Sequence, residues 1–180
     1  MFIGNGYLRH PGKCPQPVRQ GELSMRRRGF IQILAAGLTG LCGVAAVADE
    51  KKPTADEVKA LTLQATQLVA DKGIEQARAV FNQDGEFKHG EIYVNVIDTK
   101  GTWVVYPPKP EGVGKVLINL QDADGKFLVQ DILKVAADQP EGGWIEYHWK
   151  NPVTNTIQQK QSFVKNVSGT DYVVYVGIYK

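Results

Sequence analysis

The chain has 180 residues, with 21 lysines and arginines against 19 aspartates and glutamates. Both cysteines, Cys14 and Cys42, lie in the first quarter, so the remainder can hold neither a disulfide nor a cysteine-ligated metal. From Asp49 onward 15 basic residues face 18 acidic ones, a net charge of −3 with no basic run, which argues against a nucleic-acid partner.

The first quarter reads as export machinery. Arg26-Arg27-Arg28 precedes an uncharged stretch from Ile33 to Val47, and Ala46-Val47-Ala48 stands before Asp49. A basic region, an apolar core and a small-x-small exit make a secretory signal peptide. The apolar run, roughly fifteen residues, is shorter than the ~20 that span a bilayer. Arg27-Arg28-Gly29-Phe30-Ile31 also resembles a twin-arginine export signal, with Gln32 where lysine is more usual. Residues 1–24 carry no export logic, and Met25 is a sensible initiator. The expected organisation is a leader and signal peptide over 1–48, a polar tether over 49–53 and one domain over 54–180. Cleavage near Ala48 would leave that domain in the periplasm or secreted.

Thr54-Ala55-Asp56-Glu57 fits a helix-capping box. Val58, Leu61, Ala65, Leu68 and Val69 then recur at helical spacing to about Asp71, Gly73 interrupts, and Ile74, Ala77, Val80 and Phe81 resume the period. Five strands follow. Glu91 to Asp98 and Thr102 to Tyr106 flank the turn Thr99-Lys100-Gly101. Pro107 to Leu120 has no clear period and reads as an ordered surface loop. Asp122-Ala123-Asp124-Gly125 is expected to cap and start a helix through Phe127, Leu128, Ile132, Leu133 and Val135, fading at Asp138. Gly142 to Pro152 and Ile157 to Val167 form a hairpin, and Tyr172 to Tyr179 is the last strand. Alternation puts Ile145, Tyr147 and Trp149 on one face of the hairpin and Trp144, Glu146 and His148 on the other. On the return strand Lys160 and Ser162 share a face, opposite Ile157 and Phe163. The sum is an α+β domain, a long N-terminal helix on a five-stranded antiparallel sheet. The excursion between strands two and three should cover the far face and close a small cavity.

Several phrases in this order resemble a single Cache domain, an extracytoplasmic relative of PAS domains found in bacterial receptors. They are Ile92 to Asp98 with Gly101, Gly114-Lys115, Asn119-Leu120, Asp124 to Phe127, Gly143 to Trp149 with Asn151-Pro152, Lys160 to Val164, and Gly177-Ile178-Tyr179. Together they run over about residues 54 to 179. The resemblance implies a PAS-like sheet of order 2-1-5-4-3 with a ligand pocket on one face, recognising small organic molecules, often short carboxylates. Two features depart from the family pattern. Tyr106-Pro107 stands where a His-Pro pair often ends the second strand, and the chain stops at Lys180 where receptors continue into a membrane helix.

Aromatic rings beside a lysine suit a small carboxylate, since rings exclude water while ammonium and phenol donors fix the charge. The expected ligand-binding residues are Tyr93, Tyr106, Tyr147, Trp149 and Lys160, with Asn95 and Ser162 as further polar contacts. The competing readings are cross-strand packing for the rings and a solvated edge position for Lys160. Lys160→Ala is expected to weaken binding while leaving thermal stability nearly unchanged. An EF-hand reading of Asp122 to Gly125 lacks its first acid, because Leu120 stands there, and His89 and His148 are far apart in sequence, so no metal site is expected. Ser162 and Ser168 lack a glycine elbow, and Gly112-Val113-Gly114-Lys115 is too short for a phosphate loop. No catalytic residue and no cofactor are expected.

The function that follows is an exported, soluble domain that binds a small organic molecule as the sensor or binding component of a membrane-bound receptor, kinase or transporter. The N-terminal helix offers a surface for pairing two chains. The alternative is a ligand-free periplasmic interaction module. An enzyme is the third reading, encouraged by a route that often exports folded cofactor proteins.

Overall fold

The computed structural model describes residues 52–180; the leader, the signal peptide, the twin-arginine-like motif and the start of the tether lie outside the described residues. Helix α1 (Ala55–Lys72) begins at the expected capping box. The Glu57 amide donates to Thr54 Oγ1, and the Glu57 carboxylate accepts from the Thr54 amide at 2.6 Å. Val58, Ala65 and Val69 are buried as the period predicts. Thr62 and Thr66 join them by donating their hydroxyls to the Val58 and Thr62 carbonyls, which makes a polar side chain compatible with a buried stripe. Gly73, at φ 76°, breaks the helix before α2 (Ile74–Phe81).

Seven strands follow: β1 (Lys88–His89), β2 (Ile92–Tyr93), β3 (Asn95–Asp98), β4 (Trp103–Val105), β5 (Gly143–Lys150), β6 (Ile157–Asn166) and β7 (Tyr172–Tyr179). β1 and β2 form a small hairpin of their own, and β3 to β7 form one antiparallel sheet of order β4-β3-β7-β6-β5. In terms of the expected strands this is the order 2-1-5-4-3. The expected first strand, Glu91 to Asp98, is divided at Val94, whose amide turns away to the Phe87 carbonyl. Leu128–Asp138 forms α3, so the helix begins six residues after Asp122.

Strand alternation sorts the sheet into two cores. On one face Trp144, Phe163, Val174, Val176 and Val96 pack under α1 and α2. On the other Ile97, Ile145, Tyr147, Val164, Val173 and Tyr175 pack under α3 and its preceding loop. Hairpin residues therefore fall on the faces that period two assigns them. Among the described residues no helix is long and apolar enough to cross a membrane.

Candidate functional site

The α3 face is aromatic where β2, β5, β6 and β7 meet. Register pairs Tyr147 with Lys160 and Ile145 with Ser162 across β5 and β6, then Lys160 with Tyr179 and Ser162 with Gly177 across β6 and β7. Tyr147 Oη and Ser162 Oγ are hydrogen-bonded at 2.9 Å, as are Tyr93 Oη and Tyr179 Oη. Tyr179 Oη donates to the Lys150 carbonyl, also at 2.9 Å.

Lys160 has 0% of its surface exposed. Its ammonium position is 3.7 Å from the Tyr93 ring centroid and 4.4 Å from that of Tyr179, and Nζ lies 3.4 Å from Tyr179 Oη. β6 is an inner strand, so the solvated edge position weighed for this lysine does not exist. Truncation to alanine would leave a hole under three strands, which overturns the expectation of unchanged stability. Burial drives the Lys160 pKa well below the ordinary lysine value, opposed by the Glu91 carboxylate. Burial likewise holds the Tyr93 and Tyr147 phenols well above their ordinary range.

Tyr93, Asn95, Tyr106, Tyr147 and Trp149 line a narrow cavity of about 10 Å³, room for about one water. Lys160 and Ser162 stand behind that lining, Lys160 against Tyr93 and Ser162 against Tyr147. All seven expected residues thus gather on one face. Trp103, Tyr175 and Tyr179 complete it unforeseen. The period-two phrase Tyr175-Val176-Gly177-Ile178-Tyr179 carried the signal for two of them, since it puts two phenols on the face of Ser162. Trp103 had no such signal: it lies flat on Tyr106 (centroids 4.0 Å apart, 9° between planes), and regular alternation would put residues three apart on opposite faces.

Trp103, Tyr106 and Trp149 face two ways. They line the inner cavity and also an outer groove of about 460 Å³, rimmed by Lys109, Lys115, Lys150 and Glu111. Trp149 Nε1 donates to Tyr106 Oη at 3.2 Å, which latches the partition. A larger opening, about 560 Å³, lies between α1 and the β1–β2 hairpin. Its wall carries Glu57, Glu86 and Glu91 beside Lys52 and His89.

Asp122 behaves otherwise than expected. Its carboxylate accepts from the Asp124 and Lys126 amides at 2.9 Å and from the His148 amide at 3.0 Å. It therefore fastens the loop to β5, while α3 has no side-chain cap. Burial acts upward on its pKa, but these three donors outweigh it and hold the carboxyl below its ordinary value. His148 Nδ1 meets Asp124 at 2.5 Å, and one ligand-type atom each from Asp122, Asp124 and His148 lies within 4.8 Å of the others. Sequence separation hid this grouping. Its oxygens are engaged as a loop clamp.

Residues 52–180 match the family model described as Single Cache domain 2. The sensor histidine kinase MctS of Rhizobium johnstonii is 29% identical over 126 residues, covering 66% of this chain and 26% of the kinase. The chain thus spans about a quarter of that relative. A methyl-accepting chemotaxis protein from Vibrio parahaemolyticus superposes with a TM-score of 0.62 at 20% identity, covering 69% of this chain and 86% of that one. A periplasmic sensor domain of a chemotaxis protein gives 0.56 at 22% identity, over 69% and 88%. A Cache chemosensory domain solved for its carboxylic acid recognition gives 0.56 at 17% identity, over 69% and 86%.

Proposed function

The chain belongs to the single Cache domain 2 family, and we propose on that premise that it binds a short carboxylate non-covalently on the α3 face of its sheet. The observation that carries this reading is the composition of the cavity wall. It offers four tyrosines and the Asn95 amide, with the Lys160 amine buried behind Tyr93, and no carboxylate lines the cavity. Rings would strip water from the apolar part of the ligand while the phenols, and Lys160 behind them, meet its charge. The solved relative that recognises carboxylic acids supports the choice of ligand class.

In this reading the domain is exported, cleaved near Ala48 and active outside the cytoplasm. It serves as the sensing or binding component of a membrane-bound receptor, kinase or transporter, with α1 available to pair two copies. The reading assigns binding and no turnover. A thermal-shift screen against acetate, propionate, pyruvate, amino acids, amines and purines tests it. A carboxylate at about 100 times its Kd should stabilise the domain by about 2.7 kcal/mol. A screen in which no carboxylate moves the melting temperature removes the reading.

The near-closure of the cavity favours one alternative, a ligand-free interaction module. That reading predicts no shift with any metabolite and a stable protein complex on size exclusion.

A further inference from the structure

We propose that a carboxylate enters this site together with one proton, which Lys160 takes up while remaining in place. The inference rests on the carboxylate reading above and adds the protonation state of the site.

The hydrogen positions can be assigned from the geometry. Tyr179 Oη has one proton, and the Lys150 carbonyl accepts it. Tyr93 Oη must therefore donate to Tyr179 Oη across their 2.9 Å contact, and Lys160 Nζ donates to the same oxygen at 3.4 Å. The result is a hydroxyl chain from the cavity wall at Tyr93, through Tyr179, to Lys160. Among the described residues no carboxylate lies within ion-pair distance of Lys160. Its surroundings are Tyr93 from β2, Tyr179 from β7, Tyr147 paired across from β5, and Glu91 ahead of β2. The Glu91 carboxylate is itself held by Asn151 Nδ2 at 2.8 Å. Lys52 adds a second ammonium, bound to the Tyr179 carbonyl.

A fully buried ammonium without a counter-ion carries a large desolvation cost, so the empty site favours the neutral amine. Its lone pair then has no donor facing it. An anion at Tyr93 takes that hydroxyl's one proton away from Tyr179 Oη, which keeps the donation from Lys160 Nζ, and its opposite charge makes the ammonium the stable form. One N–H bond forms with a proton drawn from solvent, no bond in the ligand breaks, and the cation settles over the Tyr93 and Tyr179 rings that already flank it. Burial lowers the pKa of the free lysine and the bound anion raises it again. Between those two values binding consumes one proton, and Kd rises about tenfold per pH unit.

The test is calorimetry of the protein with acetate, propionate and pyruvate over about pH 6 to 9, at each pH in two buffers whose ionisation heats differ, read where the dependence on buffer is greatest. The heat should vary with buffer by the equivalent of one proton per carboxylate, and Lys160→Met, where it still binds, should show none. In ε-13C-lysine-labelled protein the Lys160 resonance, assigned by that variant, should titrate at lower pH than the other lysines and move upward with propionate. Binding heat that is the same in both buffers, or a Lys160 resonance that titrates with the rest, overturns the inference and leaves the carboxylate reading standing. No heat with any of the three acids overturns both.

Discussion

Gly177 leaves empty the space that the Ser162 hydroxyl occupies. The two are register partners on β7 and β6, and a Cβ at position 177 would stand 2.1 Å from Ser162 Oγ. The same atom would lie 2.6 Å from the Gln161 carbonyl and 2.9 Å from Lys160 Cε, so backbone as well as side chains would have to shift. Gly177→Ala is expected to cost about 1–3 kcal/mol and to disturb both polar groups behind the cavity. Thermal unfolding checks it, and an unchanged melting temperature would mean that the sheet yields at this point without strain.

Lys160→Met should stabilise the protein, because it removes a buried amine and keeps the volume of the stem. The pH dependence has a definite sign. The folded-state pKa is lowered, so the unfolded chain binds more protons and stability rises with pH through the interval between the two values. The lysine's penalty is full below its folded pKa and vanishes above its unfolded value of about 10.4. The gain in melting temperature on substitution should therefore be largest at low pH and shrink toward about pH 10, each kcal/mol appearing as about 4 °C. A pH-independent difference between wild type and variant would contradict this.

Trp149→Phe removes the donor to Tyr106 Oη but keeps a ring in the partition. The expected stability loss is about 0.5–1.5 kcal/mol. With the latch gone, association of propionate should accelerate, read by stopped-flow quenching of the remaining tryptophans, Trp103 and Trp144. An unchanged association rate would show that the ligand does not pass between these rings.

Asp122→Asn should loosen the loop from β5. Three backbone donors would share a neutral acceptor, a loss of about 1 kcal/mol because the clamp is partly solvated. Hydrogen exchange should quicken at the Asp124, Lys126 and His148 amides. The folded carboxyl pKa is lowered, so the wild-type advantage is present above the ordinary aspartate value and disappears as pH falls through the folded one. Equal exchange rates in the two proteins would show that the loop is held by other contacts.

Period two carried most of what the sequence could convey. It assigned Ile145 and Tyr147 to one core and Trp144 and Phe163 to the other, and strand burial followed. It failed where pairing is irregular. Pro107 to Leu120 shows no period because its backbone is satisfied piecemeal: Gly114 donates to the Trp103 carbonyl, Trp103 to Lys115, and Leu117 to Gly101. Those bonds hold the segment along β4 without making it a strand. The Asp122 clamp was invisible for another reason. Its donor on β5 is 26 residues away, and the turn signal that Asp122 shares with a helix cap does not distinguish the two uses. Lys160 was ambiguous because strand position depends on sheet order, and only the placement of β6 between β5 and β7 removes it from solvent.

The latched ring partition also bears on sensitivity. On the proposed reading, anything larger than about one water enters the cavity only after its lining moves, and Trp103, Tyr106 and Trp149 are the part of that lining shared with the outer groove. That opening is subtracted from every encounter: if the open form makes up a few per cent of the population, apparent affinity falls by the same fraction. On the proposed reading, such a domain responds only when its carboxylate is plentiful.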